Sequence, residues 1–201
     1  MGNNAFILGW FISSLILLVI AAVLGLCTKN GILGILIDHR GRYSLTHFQV
    51  VLWTIVILSS CSGLLIANGF DLNAIDISTE LLGLMGISAG SAVLATGVKG
   101  IKDASTANIA RVGQDFTLSD GNQREIKASF SQIWLEEEGD FADKVISITK
   151  YQNFIFTLVI LGFYIAAAVK SGKLPVLPER IVWLIGISHS GYVGGKVPNK
   201  K

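Results

Sequence analysis

Five apolar stretches alternate with polar connections along the chain, and this alternation predicts a bundle of membrane-spanning helices. The stretches run from Ala5 to Cys27, His47 to Asn68, Thr79 to Val98, Tyr151 to Val169 and Glu179 to Gly194. A helix needs about 20 apolar residues, at 1.5 Å rise each, to cross the hydrocarbon core. Four stretches meet or approach that length. The fifth is short and is expected to tilt little, to sit beside thinned lipid or to be shielded by its neighbours. The expected fold is all-α and polytopic, with about five spans.

The pattern also repeats. YSLTHFQVVLWTIVIL (Tyr43–Leu58) and ISITKYQNFIFTLVIL (Ile146–Leu161) agree at seven of 16 positions, with five more similar in type. Further on, LLGLMGISAGS (Leu81–Ser91) and IVWLIGISHSG (Ile181–Gly191) share a Leu-x-Gly-Ile-Ser core. Self-similarity of this kind marks a duplicated unit. Both copies run in the same direction through the membrane, so parallel repeats about an axis along the membrane normal are expected. The chain then divides into an N-terminal helix with a basic loop (1–42), a first hairpin (43–98), a long loop (99–145) and a second hairpin with a basic tail (146–201).

Each repeat opens on a Ser/Thr-x-x-Gln pattern. Thr46 with Gln49, and Thr149 with Gln152, fit a capping box, in which each side chain satisfies one orphan backbone N–H. A polar ring at the inner mouth of a pore is the functional alternative for these four residues. In the long loop, Asp120-Gly121 reads as a turn. Arg124 to Glu138 is expected to form an amphipathic helix at the membrane surface, with Ile126, Phe130, Ile133 and Trp134 near one face. Glu136, Glu137 and Glu138 then form its solvated acidic end.

Composition sharpens this picture. Only 15% of the residues are charged, the mean hydropathy is +0.60, and the charges gather in the connections. Of the 16 Lys and Arg residues, 13 fall on one side of the expected bundle, including Lys29, Lys200 and Lys201. The positive-inside rule then predicts an outer N-terminus and a cytoplasmic C-terminus. The first stretch lacks a basic n-region and is expected to be a retained helix rather than a signal peptide. A net charge of +2 without a basic stripe excludes a nucleic-acid partner. Cys27 and Cys61 read as small apolar side chains.

Few residues carry candidate chemistry. Gly86-x-x-x-Gly90 and Gly186-x-x-x-Ser190 are small-xxx-small patterns, with Ser88 and Ser188 between them. They point to close helix packing, and alternatively to a subunit interface or a narrow pore. His189 is the sole ionisable side chain well inside an expected span. It is a candidate cofactor ligand, although a neutral imidazole bonded to a helix backbone or to Ser190 accounts for it. Arg40 and Arg42, in Asp38-His-Arg-Gly-Arg42, fit contact with anionic lipid or with a partner. No Walker, His-Glu-x-x-His or Gly-x-Ser-x-Gly motif occurs. No catalytic residue, metal site or bound cofactor is therefore expected.

At LIDHRGRYSLTHFQVVLWT (Leu36–Thr54) and GISHSGYVGGKVP (Gly186–Pro198) the chain resembles a group of uncharacterised bacterial multi-pass membrane proteins. The resemblance implies no activity or site residue. The expected function is a non-enzymatic membrane subunit that anchors or assembles a larger complex in the lipid bilayer. A homo-oligomeric pore for small solutes or ions is the alternative, and an enzyme acting on lipid ranks last.

Overall fold

The computed structural model describes residues 2–28, 30–104, 109–118 and 120–198. Lys29, Lys200 and Lys201 of the expected basic loop and tail lie outside the described residues. Five α-helices carry the architecture: α1 (Gly2–Leu26), α2 (Leu45–Ala67), α3 (Thr79–Asp103), α4 (Ile148–Ser171) and α5 (Glu179–Gly194). The first four are long and apolar enough to cross a membrane. Helices suit that solvent because they satisfy their own backbone hydrogen bonds. At 16 residues, α5 spans about 24 Å, short of a full hydrocarbon core.

Helix α2 packs against α1, α3 and α4, while α5 packs against α3 and α4. One apolar core joins α2, α3, α4 and α5 through Trp53, Ile57, Leu84, Leu161, Tyr164 and Ile185. A second lies nearer the start of α2 and the end of α3, around Leu45, Ala95, Ile133 and Tyr192. Helix α1 touches the bundle mainly through α2 and leaves most of its length uncovered. Gly9 and Gly63 set that crossing. A Cβ on Gly63 would stand 2.8 Å from the Phe6 carbonyl oxygen, and one on Gly9 would stand 3.2 Å from the Gly63 Cα. The helices are so close there that neither glycine has room for a Cβ.

Helix α3 runs on to Asp103, past the expected end at Val98, and the described residues between it and α4 also differ from the expectation. In place of an α-helix over Arg124–Glu138 there is a two-stranded antiparallel hairpin, β1 (Asp115–Thr117) and β2 (Gln123–Glu125), followed by a single 3₁₀ turn at Phe130–Ile133. The Asp120-Gly121 turn forms, with Gly121 at φ +84° and the Asp120 carboxylate accepting from Asn122 N–H. The apolar residues assigned to one helix face go separate ways. Ile126 packs with Phe116 and Ala142 in a small core of its own. Ile133 joins the core around Tyr192. Phe130 and Trp134 meet Phe48 and Phe154 in an aromatic cluster. Tertiary contact on several sides has overridden the local helical pattern.

The expected capping boxes are also absent. The N-cap residues are Ser44 and Ser147, two positions before each Thr, and neither makes a side-chain capping bond. Thr46 instead meets the Ser44 hydroxyl at 2.8 Å, and Thr149 meets Ser147 at 3.4 Å. Gln49 turns into the bundle, where its amide donates to Asn153 Oδ1 (3.1 Å) and Thr157 Oγ1 (2.6 Å) of α4. Gln152 is exposed. A capping box does form at Ser129 and Gln132, opening the 3₁₀ turn.

Candidate functional site

Two places concentrate polar chemistry: a charged junction at one end of the bundle and a groove between α3 and α5.

The junction grows out of the two lead-ins to α2 and α4, which share a construction. The first passes from a 3₁₀ turn (Gly34–Leu36) through an antiparallel bridge, Ile37 to Tyr43, and Ser44 N–H donates to Leu36 O at 2.8 Å. The second passes from its 3₁₀ turn through the bridge Leu135 to Ile146, and Ser147 N–H donates to Trp134 O at 2.8 Å. Each bridge closes a loop, and the loops carry opposite charge. The first holds Arg40 and Arg42. The second holds Glu137, Glu138 and Asp143.

These loops lock together. The Arg42 guanidinium forks onto Asp143, Nη2 to Oδ1 at 2.6 Å and Nη1 to Oδ2 at 2.9 Å, and also donates to Glu136 O. Planar bidentate pairs of this kind are among the stronger charge-assisted bonds. Arg40 Nε reaches Asp103 at 3.1 Å, and its Nη1 lies 3.8 Å from both Glu137 and Glu138. From α3, Lys99 pairs with Asp38 at 2.5 Å and Glu137 at 3.2 Å, and Lys102 pairs with Glu138 at 2.6 Å. Lys196, just past α5, also bonds Glu137. Lys150 of α4 donates to Leu135 O at 2.7 Å and stands 4.0 Å from Glu137.

Arg40 and Arg42 are 2% and 1% exposed. The expected role in touching lipid or a partner is therefore corrected: both are consumed by internal carboxylates. The solvated acidic end is corrected likewise, since Glu137 and Glu138 are buried. Burial pushes the Glu137 carboxyl up, but the Lys150, Lys196 and Lys99 ammoniums outweigh it and hold the group well below the usual carboxylate range. Burial opposes Lys99 at Asp38 in the same way, and Lys99 again prevails.

The groove is different in kind. It measures about 820 Å³ and is lined by residues such as Gly86, Gly90, Leu94, Trp183, Gly186 and Ser190, with Ser91 and His189. A Cβ added at Gly86 or Gly90 would meet nothing within 4 Å, and one at Gly186 would meet only Ile87 Cδ1, at 3.5 Å. Gly86 and Gly90 therefore do not bring helices of this chain together; that role belongs to Gly9 and Gly63. His189 is 3% exposed, and its Nδ1 lies 2.6 Å from Ser91 Oγ. This bond ties α5 to α3, where the sequence pointed to a backbone atom or Ser190. The Ser190 hydroxyl donates instead to Gly186 O at 2.8 Å. The hydroxyls of Ser88 and Ser188 are buried and carry no hydrogen bond.

Chemically, the groove offers a hydroxyl–imidazole pair in apolar surroundings. Among the described residues no carboxylate bonds His189, and no cluster of three or more His, Cys, Asp or Glu side chains could hold a metal ion. Ser91 escaped sequence reasoning because the alignment of Leu81–Ser91 with Ile181–Gly191 sets it opposite Gly191 and gave it no weight. Its place three residues after Ser88, on the same helix face, was the available signal. Lys99, Glu137 and Asp143 were masked by their position in segments that read as solvated loop.

The chain matches no protein-family model, no curated protein and no solved structure.

Proposed function

We propose that this chain is a non-enzymatic integral membrane subunit that assembles with another membrane protein through the α3–α5 groove. The observation that carries this reading is the bare glycine wall. In lipid, helices associate by close packing rather than by a hydrophobic driving force, and small residues permit that approach. Gly86 and Gly90 supply the permission, and no helix of this chain takes it up. The charged side chains support the same reading, because the junction engages them internally and no Asp, Glu, Lys or Arg lines the groove.

The scaffold is a tandem repeat of a two-helix hairpin behind one N-terminal helix. The matched lead-ins support this: equivalent 3₁₀ turns, bridges and serine N–H bonds precede α2 and α4. The short α5 completes the second hairpin as a fifth span, sheltered by α3 and α4. Orientation follows the basic residues, with the charged junction on the cytoplasmic side and the N-terminus outside. A homo-oligomeric pore is the less favoured reading, since the polar groups of α2 and α4, Gln49, Asn153 and Thr157, bond one another instead of lining a path.

Native mass spectrometry of the protein extracted from its own membrane in mild detergent tests this. A mass above the 21.5 kDa chain that falls when Gly90→Leu fills the groove is expected. A single chain under every mild extraction condition would refute assembly.

A further inference from the structure

We infer that a pocket at the junction end of α3 holds a phosphate group at the membrane surface, bound chiefly by Arg111. The pocket measures about 490 Å³ and lies between the loop ahead of α2 and the segment that follows α3. Asp103, the last residue of α3, gathers three basic side chains there. Its Oδ1 accepts from Arg40 Nε at 3.1 Å and from Arg111 Nη2 at 2.9 Å, and its Oδ2 faces His39 Nε2 at 2.6 Å. Two guanidiniums and an imidazole share one carboxylate, and among the described residues no other acid lines the pocket.

The two arginines play different parts. The Arg40 side chain is wholly buried and also donates to Lys99 O at 3.2 Å. Glu137 and Glu138, the other carboxylates near it, have lysine partners of their own. Arg40 therefore stays inside and neutralises Asp103, and the charge of Arg111 is surplus. The Arg111 side chain is 34% exposed, and among the described residues only its Nη2 is engaged. Its Nε and Nη1 keep N–H groups for a ligand, in the fork that matches phosphate oxygens. Gln114, exposed at the rim, adds an amide donor. His39 is a positioning residue: a carboxylate only accepts, so Nε2 carries the proton between them and the ring holds Asp103 in place.

The backbone brings these groups together. Val112 N–H donates to Arg40 O at 3.0 Å. Val112 rests on Gly41, at φ +76°, where a Cβ would stand 2.9 Å from Val112 Cβ. That contact sets Arg111 beside the loop that carries His39 and Arg40.

Depth selects the anion. Helix α3 has 25 residues and spans about 37 Å, more than the roughly 30 Å of a hydrocarbon core. The excess carries Asp103 into the headgroup layer, where phosphate is the prevailing anion. Basic pockets beside membrane helices bind such headgroups. Ile101, two residues nearer the core and 75% exposed, offers an acyl chain an apolar surface next to the pocket.

Native mass spectrometry of the full chain in detergent tests this, with dioleoyl phosphatidic acid, dioleoyl phosphatidylcholine or inorganic phosphate titrated in. Phosphatidic acid should be retained more tightly than phosphatidylcholine, and Arg111→Gln should weaken its binding about fivefold, the equivalent of one basic side chain at an anionic surface. Gln114→Glu, which leaves the Asp103 cluster whole and adds a negative charge at an exposed position, should weaken it too. Lys127→Gln removes a base that is 79% exposed and outside the pocket, and should match wild type. Phosphatidic acid that inorganic phosphate does not displace would identify the lipid headgroup as the source. Inorganic phosphate bound without a preference for phosphatidic acid would identify the free ion, and in either case Arg111→Gln must reduce the binding. Binding of neither ligand would overturn the inference, as would equal weakening by Arg111→Gln and Lys127→Gln.

Discussion

Glycine lines two helix contacts in this protein, and they are in opposite states. At the α1–α2 crossing, Gly63 lies under the Phe6 carbonyl and beside Gly9, with no room for a methyl group. On the α3–α5 wall, Gly86 and Gly90 face open space. The second contact carries the motif that a reader of the sequence would choose, Gly-x-x-x-Gly followed by Gly-x-x-x-Ser. The first has the plainer spacings Ala5-x-x-x-Gly9-x-x-x-Ser13 and Ser59-x-x-x-Gly63-x-x-x-Ala67, with one glycine of each at the crossing. A small-residue motif therefore reports that close approach is possible, and says nothing about which chain will make the approach. The charged junction belongs with the closed contact: its groups find their partners inside the chain.

If the junction is a closed structural unit, breaking it has the largest effect. Asp143→Ala leaves the buried Arg42 guanidinium without its bidentate carboxylate, and removing one member of a buried pair costs about 3–5 kcal/mol. The Asp143 side chain, 18% exposed, places the loss near the lower figure. Chemical unfolding in detergent micelles measures it. An effect below about 1 kcal/mol would mean that the loops are held by something else.

Acid probes the same unit. The unfolded Glu137 carboxyl titrates near 4.5 and the folded one well below. A depressed folded value means that the carboxylate adds stability above the unfolded value and loses that contribution as pH falls toward the folded one. Unfolding midpoints should therefore decline as pH drops below about 4.5. Glu137→Gln should be less stable at neutral pH and should show a shallower acid decline. A variant with the wild-type acid limb would assign that limb to other groups.

The glycine comparison gives the next effect. Gly63→Ala pushes a methyl into the Phe6 carbonyl and should cost about 1–3 kcal/mol by overpacking, whereas Gly86→Ala should stay within about 0.5 kcal/mol of wild type. Equal losses at the two positions would erase the distinction. Smallest is Ser91→Ala, which removes the α3–α5 hydrogen bond to His189. Interhelical bonds in lipid average about 0.6 kcal/mol, and thermal melts of Ser91→Ala and wild type side by side would resolve it.

Much of the helical frame could be read from hydrophobic patterning, because a membrane span announces itself in a single run of residues. The expected starts of α2, α3, α4 and α5 lie within three residues of those observed. The described residues between the end of α3 at Asp103 and the start of α4 could not be read this way. Ile126, Ile133 and Trp134 sit at helical spacing, yet Ile126 packs with Phe116 and Ala142 while Ile133 and the partly buried Trp134 pack around Leu45 and Tyr192. The charged residues misled for a similar reason. Arg40, Arg42, Glu137 and Glu138 look solvated one by one; they are buried because complementary loops, about 100 residues apart in the case of Arg42 and Asp143, bring their charges together. Gln49 sat in a local capping pattern and was claimed instead by Asn153 and Thr157 across the bundle. Of the groove, the glycines and His189 were visible in the sequence. That no side chain of this chain packs against Gly86 and Gly90 is a property of the packing, and Ser91 became visible only with α5 in place.

Gly63→Leu and Gly90→Leu, melted in parallel at a dilution where wild type is a single chain, test the contrast between closed and open glycine most directly. Gly63→Leu should unfold well below wild type, because the leucine must force α1 from α2. Gly90→Leu should unfold with wild type, its side chain entering an empty groove. A loss in Gly90→Leu comparable to that in Gly63→Leu would contradict the account, for it would make the α3–α5 wall an internal contact with no space left for a partner.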